Sequence, residues 1–199
     1  MVSSEKNSHM KQLFLLVFIL VTVLPELAIG QSAKQTENRK LRMVTVENGR
    51  KAPLGNFVNL EGEIHKFDDF RGKLIVVDFW ASWCGPCIQQ TPYFEALAEK
   101  FQDEEVVFLK VSIDQKQSFW QKYIAERNWT HNSYWIGTDE QNPIYPFVYT
   151  EYDDKSFRGI VTAVPRYVII SKEGNIIDNH AIHPSHPRLA KDIKYYLRK

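Results

Sequence analysis

The sequence predicts an α/β fold in which a mixed central β-sheet is flanked by helices on both faces. Residues 74–80 and 106–113 form two nearly continuous apolar runs, which are typical of strands buried on both sides. A hairpin pattern at 167–170 and 175–178 then precedes a closing helix at 188–197. The sheet therefore contains strands of both directions, with helices between them in the chain.

Helical patterns follow both apolar runs. Apolar residues at helical spacing extend from Ile88 to Phe101, and Pro92 inside this helix should kink it. Residues 117–127 predict a second helix. The aromatic-rich stretch 128–158 shows no regular period, and core packing of its side chains is favoured over a partner groove.

An N-terminal β-hairpin extends this architecture. Residues 57–60 and 64–67 alternate in the manner of strands and flank a turn at Gly62. With this extension, the globular domain is expected to cover residues 46–199.

The first 45 residues have a different character. Lysines precede a short apolar run at 13–24, and small residues end at Gly30, which is the layout of a secretory signal peptide over 1–30. The polar residues 31–45 are expected to form a flexible leader. The alternative is an uncleaved membrane anchor, although the run is shorter than the roughly 20 residues that span a bilayer. Export to the periplasm is the predicted localisation.

Composition excludes several classes of protein. The chain has 199 residues, 44% of them hydrophobic, and a formal net charge of +1, so it can bury an ordinary core and offers no basic surface for nucleic acid. It contains two cysteines, too few for a secreted scaffold held by disulfides. The hydrophobic core must hold the fold, and both cysteines remain available for chemistry.

Those cysteines occur as Cys84-Gly85-Pro86-Cys87, where a buried strand ends and a helix begins. A cysteine at a helix N-terminus meets unpaired N–H groups and a helix dipole that favour the thiolate, the nucleophile of disulfide exchange. The second cysteine, one turn later, is within reach to break a mixed disulfide. Proline suits the first turn because it has no N–H to lose.

Metal binding is the competing interpretation of such a motif. Structural zinc takes four ligands, and no second C-x-x-C exists. His180, His183 and His186 recur at every third residue, but prolines between them favour a solvated loop over a copper or zinc site. We therefore expect neither metal nor another cofactor.

The motif and its surroundings resemble the thioredoxin family. Residues 77–87, VDFWASWCGPC, look like the thioredoxin active-site segment. Pro92 is similar to the proline of the family's helix, Lys110 to the lysine near its buried acid, and Val164-Pro165 to its cis-proline loop. Upstream, 52–53, 60–63 and 70–73 resemble exported thiol reductases related to TlpA and ResA. The similarity covers residues 50–198 and implies a thioredoxin fold.

The resemblance also implies roles for individual residues. Cys84 is similar to the attacking cysteine and Cys87 to the resolving one. Asp78 is similar to the buried acid that exchanges a proton with Cys87; the alternative is that it only satisfies local hydrogen bonds. Pro165, if cis, would place the Val164 backbone beside Cys84 to pair with a substrate strand. The remaining expected substrate contacts are Trp83, Gly85 and Pro86.

The resulting functional hypothesis is a reductant of disulfides in exported proteins. The implied partners are a membrane thiol-electron transporter, which recharges it, and substrates among which apocytochrome c is a candidate; a monomer is expected. An oxidase or isomerase of the same fold is the alternative. A thiol peroxidase typically has threonine where this chain has Ala81, and a non-catalytic binding module would not need an intact site.

Overall fold

The computed structural model describes residues 31–154 and 157–199. The chain divides into two units, Met1–Lys40 and Leu41–Lys199. The predicted signal peptide, 1–30, lies outside the described residues. In the part of the chain that is described, no helix combines the length and apolarity needed to cross a membrane.

The segment 31–45 was expected to be a flexible leader, and its flexibility stays a prediction. Residues 31–43 are helical (α1), and a 3₁₀ turn follows at Val44–Val46. The helix fits the composition, because the segment contains Gln, Lys and Arg twice each and neither Gly nor Pro. The second compact unit therefore begins at Leu41, before the predicted boundary at residue 46, and Val46 is already buried in its core.

Seven strands form the main sheet in the order β2-β1-β5-β4-β3-β8-β9. β3 pairs in parallel with β4 and antiparallel with β8, so the predicted mixed sheet is confirmed. The strands are β1 Phe57–Val58, β2 Ile64–His65, β3 Leu74–Trp80, β4 Val106–Ser112, β5 Ser133–Trp135, β6 Tyr149–Asp153, β7 Arg158–Thr162, β8 Arg166–Ile170 and β9 Ile176–Ala181.

Helices cover both faces of this sheet. The helices after α1 are α2 Gly85–Lys100, α3 Gln117–Arg127 and α4 Pro187–Leu197, which agree with the three predicted helical segments. Phe94 of α2 and Leu189 of α4 belong to the core cluster on one face. Trp120 of α3 belongs to the cluster on the other face. Every residue of β3 is buried, as its nearly continuous apolar run predicts.

Both predicted hairpins are present. β1 pairs antiparallel with β2, and Gly62 in the connecting turn has a φ of 83°, a left-handed conformation that favours glycine. β8 pairs antiparallel with β9 across a turn that ends at Gly174, which has a φ of 80°. Each turn therefore reverses the chain where the sequence predicts it.

The stretch that showed no period contains β5, a 3₁₀ turn at Tyr145–Val148 and the start of a separate two-stranded sheet, β6-β7. Core packing is confirmed for six of its eight aromatic residues, because four are buried and Trp129 and Trp135 are partly buried against the core, whereas Tyr152 and Phe157 are exposed. Tyr134, Tyr145, Phe147 and Tyr149 are all buried. The turn and the β6-β7 hairpin lead the chain from β5 into the loop before β8.

Candidate active site

The two cysteines lie at the junction of β3 and α2. Cys84 caps the N-terminus of α2, and the backbone N–H of Cys87 donates a hydrogen bond to Cys84 Sγ at 3.2 Å. Cys84 and Cys87 are joined in a disulfide with their Cα atoms 5.3 Å apart. The helix N-terminus thus directs a backbone donor at the sulfur of Cys84, which favours a thiolate there once the disulfide is reduced.

The two sulfurs differ in access. Cys84 retains 4% of its surface, whereas Cys87 retains none. Around Cys84, Gly85 and Pro86 are exposed, and Trp83 is 66% exposed. Cys84 is therefore the more accessible of the two sulfurs, and its role as the attacking cysteine stays a prediction. Trp80, by contrast, is core: it is 1% exposed and packs against aromatic rings of α3 and of the loop that follows it.

The loop before β8 approaches the disulfide from the other side. The Val164-Pro165 peptide bond is cis, and the carbonyl oxygen of Val164 lies 3.6 Å from Cys84 Sγ. Both residues are partly exposed. The predicted placement of the Val164 backbone beside Cys84 is confirmed; its contact with a substrate strand stays a prediction.

Asp78 is buried on β3, with 1% of its surface exposed. Neither carboxyl oxygen has a hydrogen-bond partner among the residues described, so Asp78 does not serve to satisfy local hydrogen bonds. Burial raises the pKa of Asp78 to about 8, while the charge of Lys110 lowers it and that of Glu95 raises it. A carboxyl that titrates near neutral pH suits proton transfer.

The strands on either side of Asp78 supply two buried polar residues. In the register of the sheet, Asp78 lies opposite Lys110 of β4 and Tyr167 of β8. The ammonium of Lys110 forms an ion pair with Glu95 of α2. Burial, followed by the charge of Asp78, raises the pKa of Tyr167. Glu95 was not predicted as a site residue, because a polar residue on a helix ordinarily indicates a solvent-facing position.

A second buried carboxylate, Asp114, fixes the loop before the cysteines. Its Oδ1 accepts from Ser82 Oγ at 2.7 Å, and its Oδ2 accepts from the Ser82 N–H at 3.1 Å and from Ser112 Oγ at 2.8 Å. Asp114 has no exposed surface. Unlike Asp78, it is fully hydrogen-bonded, so its place is structural. The position just after β4 was the one available sequence signal.

The three histidines do not converge. His180 lies in β9, and His186 caps α4 by accepting from the Arg188 N–H at 3.2 Å. His183 stacks edge-on with His186 and hydrogen-bonds Ser185. Within residues 31–154 and 157–199, no cluster of three or more His, Cys, Asp or Glu side chains has an arrangement that could hold a metal.

Comparison with known proteins agrees with this geometry. The model of the Redoxin family matches residues 47–193. A thioredoxin from Coprinus comatus is 45% identical over 56 residues, which are 26% of this chain and 53% of the relative. The thiol-disulfide oxidoreductase ResA of Geobacillus thermodenitrificans is 35% identical over 79 residues, which are 40% of this chain and 45% of ResA.

The fold is shared with solved structures over most of this chain. A crystal structure assigned as a thiol-disulfide oxidoreductase of Bacteroides vulgatus superimposes with a TM-score of 0.65 and 28% identity, covering 76% of this chain and 98% of that one. The chain spans only about half the length of the curated relatives it matches. The predicted resemblance to thioredoxin-like, ResA-type proteins and the predicted fold are both confirmed.

Proposed function

Because the chain belongs to the Redoxin family as a thioredoxin-like thiol–disulfide oxidoreductase, we propose that it reduces disulfide bonds in exported proteins by dithiol–disulfide exchange. One observation carries the proposal. The Cys84–Cys87 disulfide caps α2, and Cys84 keeps 4% of its surface beside exposed Trp83 and Gly85, whereas Cys87 keeps none. In this arrangement the sulfur of Cys84 can exchange with a partner protein. The sulfur of Cys87 can react only with Cys84.

The reaction starts from the dithiol form. The Cys84 thiolate attacks one sulfur of a substrate disulfide, whose S–S bond breaks, and the leaving thiolate takes a proton from water. Asp78 then accepts the proton of the Cys87 thiol, and the Cys87 thiolate attacks Cys84 Sγ in the mixed disulfide. The second substrate thiolate leaves. Two electrons have passed to the substrate, and the protein holds the disulfide seen in the structure.

The surface around Cys84 suits an extended substrate segment. The Val164 carbonyl, 3.6 Å from Cys84 Sγ, is available to accept a hydrogen bond from a substrate backbone N–H. A Cβ atom added at Gly85 would meet no protein atom within 4 Å. The surface at Gly85 is therefore open to the backbone of a partner. Exposed Trp83 and Pro86 add apolar surface beside this space.

Export and partners complete the proposal. The charged, apolar and small-residue pattern of 1–30 supports cleavage after Gly30 and function in the periplasm, the uncleaved anchor being the alternative. A reductant in an oxidising compartment must be recharged, which implies a membrane thiol-electron transporter. Apocytochrome c is a candidate substrate because its C-x-x-C-H motif must be reduced before haem attachment.

Insulin reduction with dithiothreitol as electron donor tests the proposed activity. Wild type should accelerate the turbidity that reduced insulin chains produce, and Cys84→Ser should not. Peroxide consumption by the same preparations serves as the matched assay. Rapid peroxide consumption without insulin reduction would favour the peroxidase alternative, and inactivity in both assays would favour a binding module.

A further inference from the structure

The contacts of Lys110 are unexpected for a lysine beside a buried acid. Lys110 is 4% exposed and lies directly opposite Asp78 in the parallel register of β3 and β4. Adjacent strands are about 4.8 Å apart, so the two side chains start from neighbouring positions. The ammonium nevertheless pairs with Glu95 of α2, and both oxygens of Asp78 lack a hydrogen-bond partner within the described part of the chain.

We propose that Glu95 is a positioning residue that holds the Lys110 ammonium away from Asp78 and so leaves the buried carboxyl able to carry a proton. A buried ammonium is costly unless it is paired. Without the Glu95 carboxylate, the acid directly opposite Lys110 in the sheet is Asp78. An Asp78–Lys110 ion pair would keep Asp78 ionised and would remove its capacity to take up and return a proton near neutral pH.

Solvent reaches this ion pair through a groove. Glu95 and Lys110 line a cavity of about 760 Å³ between α2 and β4, and the side chain of Glu95 is 40% exposed. The other ionisable groups on the groove are Lys73, Glu99 and His131. The Glu95 side chain is therefore in contact with solvent, whereas the Lys110 side chain is buried.

The other groups that face Asp78 are few. β8 contributes Tyr167, whose hydroxyl has no hydrogen-bond partner in the described residues. Cys87, the proposed proton partner of Asp78, does not ionise while it is in the disulfide. α4 contributes apolar residues to this face, among them Leu189 and Ile193. Lys110 and Glu95 are thus the charged groups that affect Asp78: the charge of Lys110 lowers the Asp78 pKa, and that of Glu95 raises it.

The test is a pH titration of Asp78 in the oxidised protein. The titration is monitored by ¹³C NMR of the labelled Asp78 carboxyl. Wild type should titrate near pH 8. Glu95→Gln should lower the Asp78 pKa by about 1–3 units, because Lys110 turns to Asp78. Glu95→Asp, which keeps the charge, should restore the wild-type titration. Glu99→Gln, on the same groove one helical turn later, is the matched control and should leave it unchanged.

Lys110 provides an independent measurement in the opposite direction. Lys110→Met should raise the Asp78 pKa above that of wild type, and adding Glu95→Gln to Lys110→Met should have much less effect than Glu95→Gln alone. The proposal would be overturned if Glu95→Gln left the pKa of Asp78 unchanged or raised it. So would an equal effect of Glu95→Gln with and without Lys110.

The inference rests on the proposed function only in taking Asp78 as the proton carrier. In the active enzyme, the pH profile of mixed-disulfide resolution should shift downward in Glu95→Gln together with the titration. If wild type fails to reduce insulin but the titrations behave as described, the proposed function fails and the role of Glu95 stands. If wild type reduces insulin but the Asp78 pKa does not change in the variants, the proposed function stands and the role of Glu95 fails.

Discussion

Replacing Asp78 by asparagine should make the fold more stable at high pH. The pKa of Asp78 rises from 3.8 to about 8 on folding, mainly through burial. A group with a raised pKa contributes stability that is fully present below the unfolded value. That stability is lost as the pH rises through the folded value, so the loss falls between about pH 4 and about pH 8. Asparagine has no charge to bury and avoids this loss.

The size of the effect follows from the width of the window. Three pH units, from about 5 to about 8, correspond to about 4 kcal/mol at 1.36 kcal/mol per unit. Urea unfolding of the oxidised wild type and Asp78→Asn should be compared from pH 5 to pH 9, since all other titrating groups cancel in the difference. The difference should grow in favour of asparagine as the pH rises.

The exposed carboxyl of Asp103 is the matched control, and Asp103→Asn should give a flat difference curve. A flat curve for Asp78→Asn as well would refute the reasoning, because it would mean that Asp78 ionises in the folded protein without cost. In the activity assay, the same variant should slow resolution of the mixed disulfide at pH 7. Activity equal to that of wild type would leave Asp78 without a role in proton transfer.

Three further predictions concern the cysteines, the loop before them and the N-terminus. Cys87→Ser should trap mixed disulfides with substrate proteins and Cys84→Ser should not, as non-reducing electrophoresis would show; equal trapping would remove their assigned roles. Asp114→Ala should lower the free energy of unfolding by about 1–3 kcal/mol, because Ser82 and Ser112 lose their acceptor; an unchanged melting temperature would contradict this. Mass spectrometry of the periplasmic fraction should find a chain that starts near Gln31, whereas a full-length, membrane-bound chain would favour the anchor.

The sequence predicted the parts of the fold that local physics determines. β3 and β4 are nearly continuous apolar runs because both of their faces are buried, and each run contains one charged residue, Asp78 or Lys110. Proline lies in the first turn of α2 and of α4 but not of α3, and glycine lies in both hairpin turns. The Cys84–Cys87 motif was identifiable because its chemistry depends on two residues one helical turn apart.

The rest depends on contacts between distant parts of the chain. β5 has three residues and gains its strand conformation from pairing with β4, so no local pattern marks it. The ion pair of Glu95 with Lys110 joins a helix to a buried strand, and neither residue signals the other in the sequence. The helix at 31–43 was not predicted because polarity was given more weight than helix propensity.

The reduction potential of the Cys84–Cys87 pair tests the proposed direction of electron flow most directly. Gly85 and Pro86 place no positive charge between the cysteines to favour the dithiol form further. Equilibration with glutathione buffers should therefore give a potential within tens of millivolts of thioredoxin's roughly −270 mV. Each 30 mV corresponds to about 1.4 kcal/mol for this two-electron couple, so the two directions are well separated. A potential near about −120 mV, that of a strong periplasmic oxidant, would contradict the account and favour an oxidase.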